Sequence, residues 1–132
     1  MKTKGTVLIV DDDEVIQLII EEFLTDYQFN ILNAESPEKG LERIKNIKTI
    51  DIAIVDMNFP TMNGEEFILR ANAINSQLKY IIHTAEPGYH IPDALKSIGI
   101  TEKMIITKPI EDMMLFLHLI NNLLGPQKNN EL

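Results

Sequence analysis

Five short apolar runs, each followed by a polar residue and separated by segments of helical periodicity, leave this chain few folds to choose from. Val7-Leu8-Ile9-Val10 is apolar without a break, as a strand must be when helices cover both faces of its sheet. Runs of strand length recur at Ile31–Ala34, Asp51–Val55, Tyr80–His83 and Met104–Thr107. Between the first two, Ile16, Ile19, Ile20 and Phe23 fall at i, i+3, i+4 and i+7 and predict a helix over 13–26 with one buried stripe. Ser36-Pro37-Glu38 reads as an N-cap, a first-turn proline and a first-turn acid, opening a helix that buries Leu41, Ile44 and Ile47. A third helix, with Phe67, Ala71 and Ile74, begins after Gly64. Ile91, Ala94, Leu95 and Ile98 mark a short fourth helix, and Met113, Phe116, Leu117, Ile120 and Leu124 build the last.

Five strand–helix units with short connections imply an α/β three-layer sandwich, because right-handed crossovers place helices on both faces of a parallel sheet. The sheet is expected to be doubly wound and five-stranded, in the order 2-1-3-4-5. In such sheets ligands sit beyond the carboxyl ends of the strands, where the strand order switches. The residues at those ends are Asp11-Asp12-Asp13 after the first strand, Asp56 at the third, Thr84 at the fourth and Lys108 at the fifth.

Charge and length narrow the partners. With 12 Lys and Arg against 20 Asp and Glu the net charge is −8, which repels a phosphate backbone and argues against direct nucleic-acid binding. The 132 residues suit one domain, read as 6–124, with 125–132 a polar tail or the start of a linker. There is no cysteine, hence no thiolate nucleophile and no Cys-based metal site. No run approaches the roughly 20 apolar residues that span a bilayer and no signal peptide is recognisable, so the expectation is a cytoplasmic chain without a membrane partner.

Three carboxylates gathered at one sheet edge repel one another unless a cation sits among them, and oxygen ligands with open positions suit Mg2+. Asp11, Asp12 and Asp56 are therefore read as a magnesium site, with Asp13 set aside as a helix N-cap. A carboxylate beside a metal also serves as a nucleophile toward a phosphoryl group, forming an acyl phosphate, and Asp56 is the candidate. Lys108 and Thr84 would then face the transferring oxygens. His83, His90 and His118 lack ligand spacing and are read as surface or packing residues. Met113 and Met114 read as gap-filling apolar residues, and Leu115 and Leu119 as either a wide core face or a partner patch.

The segments VLIVDDD at 7–13, IVDMNFPTMNG at 54–64, HTAEP at 83–87 and TKP at 107–109 together resemble the receiver domain of two-component response regulators, over about Thr6 to Leu124. The resemblance implies a flavodoxin-like (βα)5 fold. It also implies phosphorylation of Asp56 by a histidine kinase or histidine phosphotransfer protein with Mg2+ as cofactor, direct ligation by Asp12, ligation through water by Asp11, and ligation by the Asn58 backbone carbonyl. It further implies a Thr84 that swings toward the phosphoryl group, an Ala85 that keeps the pocket open, a Lys108 that pairs with the phosphate, and a cis peptide before Pro109. Asn58 and Glu86 resemble side chains that, in the chemotaxis regulator, tune hydrolysis of the acyl phosphate, which implies a short-lived state. Such a chain is no enzyme on external substrates, since it catalyses only its own phosphorylation and dephosphorylation. Its output partner is a downstream protein that the sequence does not name, and a phosphorylation-dependent homodimer is a further form that the resemblance allows.

Two departures stand out. Ile105 occupies a position where an aromatic is usual, and the segment 99–108 is about two residues longer than the usual form. They keep open a degenerate receiver that binds partners without phosphorylation. A magnesium-dependent phosphohydrolase is a weaker alternative, because Asn58 stands where such enzymes need a second acid.

Overall fold

The computed structural model describes residues 3–125. In chain order its elements are β1 (Thr6–Val10), α1 (Glu14–Asp26), β2 (Asn30–Ala34), α2 (Pro37–Asn46), β3 (Ile52–Asp56), α3 (Gly64–Ile74), β4 (Lys79–Thr84), α4 (Asp93–Lys96), β5 (Ile105–Thr107) and α5 (Met114–Leu124). A 3-10 turn, Glu102–Met104, leads into β5. All strands pair in parallel in the order β2-β1-β3-β4-β5, with β1 between β2 and β3 as the switch in strand order requires. This is the doubly wound, flavodoxin-like architecture expected from the sequence.

The strand period of two sorts the core into halves. Leu8, Val10, Ala53, Val55, Tyr80 and Ile82 pack on one face of the sheet with Ile44 of α2 and Phe67 and Ala71 of α3. Val7, Ile9, Ile52, Ile54 and Ile81 pack on the other face with Ile20 and Leu24 of α1 and Phe116 and Ile120 of α5. Every residue of β1 and β3 is buried, and apart from Thr6 at the start of β1 and Asp56 at the end of β3 all of them are apolar.

The caps fall where their chemistry places them. Asp13 Oδ1 accepts from the Val15 and Ile16 N–H groups at 2.9 and 3.3 Å, so Asp13 is the N-cap of α1 as expected. Ser36 caps α2 ahead of Pro37, and Asn63 caps α3 by accepting the Glu66 N–H at 2.8 Å.

Several local expectations are corrected. Ile19, placed on the buried stripe of α1, is 45% exposed, and the stripe runs instead through Ile16, Ile20, Phe23 and Leu24. Helix α4 is a single turn whose Ala94 is exposed, because Pro92 fixes its start and Gly99, at φ +99°, turns the chain away soon after its end. Met104 belongs to the 3-10 turn rather than to β5, and Asp51 precedes β3, its carboxylate accepting the Thr6 N–H at 2.9 Å. Of the tail at 125–132, only Gly125 lies among the described residues. No helix of the described residues is long and apolar enough to cross a membrane.

Candidate phosphoacceptor and metal site

The carboxyl ends of β1, β3, β4 and β5 converge, and each delivers one polar group. Beyond β1, Asp11 is almost fully buried while Asp12 beside it is exposed. Asp11 is held by its own turn: Oδ1 accepts the Asp13 N–H at 2.9 Å, and its backbone carbonyl accepts from the Gln17 side-chain amide. At the end of β3, Asp56 is buried and its Oδ1 accepts the Asn58 N–H at 3.3 Å. Asp11, Asp12 and Asp56 each offer a carboxylate oxygen, all within 4.8 Å of one another. The sequence-predicted acids are thus brought together, and Asn58, exposed, follows directly in the connection to α3.

Lys108 reaches this cluster from the end of β5. Its Nζ lies 3.3 Å from Asp11 Oδ2 and 3.5 Å from Asp56 Oδ1. The residue is fixed from below, since its N–H donates to the Thr84 carbonyl at 2.7 Å, and the Lys108–Pro109 peptide is cis as the resemblance implied. Thr84 itself is buried, and its Oγ1 accepts the Glu86 N–H at 3.1 Å.

One ammonium does not balance three carboxylates. Burial raises the Asp11 pKa above its ordinary value; the Asp13 N–H and Lys108 pull it back down, and Asp56 adds repulsion. A hard divalent cation relieves that load. Clustered carboxylate oxygens, one of them exposed toward solvent, are a donor set that fits Mg2+, with Asp11, Asp12, Asp56 and the Asn58 carbonyl as the residues that would hold it.

The floor of the site is set by a glycine. A Cβ on Gly64 would lie 2.8 Å from the Met57 Cα and 3.0 Å from the Asp56 carbonyl oxygen, closer than side chains approach backbone. The N-terminus of α3 is therefore able to sit directly against the residues that carry Asp56.

Three features were not legible beforehand. Gln17 braces the Asp11 turn from a position that reads as the polar face of α1. Tyr89 donates to Glu65 across the mouth between β3 and β4. His83, read only as surface or packing, is wholly buried in contact with the Phe116 ring, and neither ring nitrogen has a partner among the described residues. Burial, and then Lys108, lowers its pKa from 6.5 to about 4, so it is neutral at pH 7. His90 and His118 are exposed, and neither they nor His83 joins the acid cluster. Leu115 is exposed and Leu119 half-buried beside Ile105, along a groove of about 460 Å3 between β5 and α5.

Comparison with known proteins bears on the family and the fold. The family model described as "Response regulator receiver domain" matches residues 7–120. A cyclic di-GMP phosphodiesterase of Thermotoga maritima is 30% identical over 118 residues, covering 89% of this chain and 31% of that protein. The transcriptional regulatory protein GlrR of Escherichia coli is 28% identical over 109 residues, covering 83% of this chain and 24% of that protein. The chain thus spans under a third of the length of these relatives. Among solved structures, the CheX-CheY-BeF3-Mg complex of Borrelia burgdorferi superposes with a TM-score of 0.81 at 24% identity, covering 92% of this chain and 90% of that one. Chemotaxis protein CheY4 of Vibrio cholerae superposes with a TM-score of 0.75 at 22% identity, covering 90% and 98%.

Proposed function

The chain belongs to the response regulator receiver family, and from that premise we propose that it takes a phosphoryl group onto Asp56 in an Mg2+-dependent reaction and thereby switches a partner-binding surface. The donor is a histidine kinase or a histidine phosphotransfer protein, and the receiver unit runs over 6–124. The observation that carries this reading is the Lys108 ammonium standing against both the Asp11 and Asp56 carboxylates at the point where the strand order switches.

Asp56 Oδ1 takes the Asn58 N–H and faces Lys108, which leaves Oδ2 as the attacking oxygen. A bond forms from Oδ2 to phosphorus as the bond from phosphorus to the donor's imidazole nitrogen breaks, and the electron pair returns to the imidazole. Asp11, Asp12, Asp56 and the Asn58 carbonyl would hold Mg2+, which would supply positive charge against the phosphoryl oxygens. Lys108 pairs with one of those oxygens, and the Thr84 hydroxyl turns to donate to another. Asn58 and Glu86, both exposed, flank the acyl phosphate and set how fast water removes it. In this reading the chain acts on no external substrate, and it works in the cytoplasm.

An apolar stripe offers a landing place for the donor. Val15, Leu18 and Ile19 on the outer face of α1 are 65%, 54% and 45% exposed, directly after the Asp11–Asp13 turn. Three neighbouring aliphatic side chains left in water beside a reactive site mark a protein-binding face. The downstream partner, or a second copy of the chain, would use the groove between β5 and α5.

The test is intact-mass spectrometry after incubation with a small acyl-phosphate or phosphoramidate donor, with and without Mg2+, on the wild type and Asp56→Asn. A labile, Mg2+-dependent gain of one phosphoryl group that the variant lacks is the expected result. An adduct that persists in the variant, or none with several donors, overturns the reading in favour of a phosphorylation-independent binding module.

A further inference from the structure

We propose that the hydrogen bond from the Tyr89 hydroxyl to Glu65 is a latch that holds the connection between β4 and α4 in its resting position and so opposes phosphoryl occupancy at Asp56. The inference rests on the phosphoacceptor reading above. Residues 85–92 form neither helix nor strand, and 85–88 are exposed, so few contacts fix this stretch. At its start the Glu86 N–H is spent on Thr84 Oγ1, and near its end Ile91 is buried. Between them the Tyr89 ring packs, half-buried, against the core on the α2–α3 face, and its hydroxyl donates to Glu65 Oε2. Glu65 stands in the first turn of α3, next to the Gly64 that closes on Met57. The latch therefore ties the loop after Thr84 to the helix after Asp56.

The bond is of the stronger kind. Its acceptor is a carboxylate at a helix N-terminus, where the backbone dipoles favour negative charge. Burial, then the bond to Glu65 and its charge, then Glu86, push the Tyr89 pKa up, so the hydroxyl keeps its proton and remains a donor at neutral pH.

Thr84 supplies the coupling. In the reading above Thr84 turns to donate to a phosphoryl oxygen, and a rotation that carries Oγ1 away leaves the Glu86 N–H without the acceptor it has here. Tyr89 follows three residues later, past Gly88 at φ +67°, and displacement of Glu86 strains the latch. A contact made only in the resting state lowers affinity for a phosphoryl group by the whole of its differential free energy.

The experiment titrates the 132-residue chain with beryllium fluoride and Mg2+, a phosphoryl analogue that cannot transfer, using isothermal calorimetry. Tyr89→Phe keeps the ring and removes the donor, while Glu65→Ala removes the acceptor and Glu65→Gln retains an acceptor oxygen. The latch predicts that Tyr89→Phe and Glu65→Ala bind the analogue about 3- to 10-fold more tightly than the wild type, with Glu65→Gln nearer to it. Amide exchange over residues 85–91 should be faster in Tyr89→Phe without the analogue and match the wild type with it. Equal or weaker binding by Tyr89→Phe, or unaltered exchange, overturns the latch while leaving Asp56 as phosphoacceptor. A wild type that takes up no analogue overturns the phosphoacceptor reading and the latch with it. Should Tyr89→Phe fail to fold, the two Glu65 variants make the same comparison.

Discussion

Replacing His83 with leucine should remove a defined part of this protein's sensitivity to acid. The imidazole is wholly buried, with no hydrogen-bond partner among the described residues and Lys108 acting on it, and its pKa falls from 6.5 to about 4. Between those values the unfolded chain binds a proton at this position that the folded chain refuses, so stability rises with pH across the window and is lost as pH falls through it. A separation of about 2.5 pH units at 1.36 kcal/mol each makes the full penalty about 3 kcal/mol, reached near pH 4. The slope within the window is about 1.4 kcal/mol per pH unit. Leucine has no proton to bind and suits the apolar surroundings of Ile106 and Phe116. Urea titrations followed by far-ultraviolet circular dichroism at intervals from pH 7.5 to pH 4 give the comparison. His83→Leu should be at least as stable as the wild type at pH 7.5, with its advantage growing by about 3 kcal/mol toward pH 4. Parallel stability curves for the two proteins would refute the reasoning, because the other titrating groups are common to both.

Other outcomes follow from the same geometry. Gly64→Ala pushes a methyl group against the Met57 and Asp56 backbone and should destabilise the fold by about 1–3 kcal/mol in urea while slowing phosphorylation of Asp56. Asp11→Asn should raise the melting temperature in the absence of divalent cations, since burial raises the pKa of this carboxyl and its ionisation at neutral pH works against folding. The same change should abolish the further stabilisation that Mg2+ gives the wild type. Exchanging Leu18 and Ile19 for serine should leave stability within about 0.5 kcal/mol, as for exposed positions generally. It should nevertheless slow transfer from a protein donor and spare transfer from a small acyl phosphate, and equal rates with both donors would count against α1 as the landing face.

Much of this was written in the chain because its physics is local. The strands of a doubly covered sheet have to be apolar along their length, and β1 and β3 are, save Thr6 at the start of β1 and Asp56 at the end of β3. Residues at strand ends are released from that constraint, so the aspartates, Thr84 and Lys108 stood out against an apolar background and topology alone gathered them. Caps were equally plain, because Asp13 and Ser36 act on neighbours within three residues. The misplacement of Ile19 has a clear cause. Helix α1 carries aliphatic residues on two adjoining stripes, and periodicity says that a stripe exists without saying which one the sheet covers. The latch from Tyr89 to Glu65, the brace from Gln17 and the burial of His83 depend on contacts between elements, and no local pattern announces them.

The most direct test locates the phosphoryl group itself. After reaction with an acyl-phosphate donor and Mg2+, borohydride reduces a β-aspartyl phosphate to homoserine, and peptide sequencing by mass spectrometry reads the position. Homoserine is expected in place of aspartate at position 56 and nowhere else, appearing only when both donor and Mg2+ are present. Reduction at Asp11, Asp12 or Asp13, or none at all in a protein shown to be folded, would contradict it.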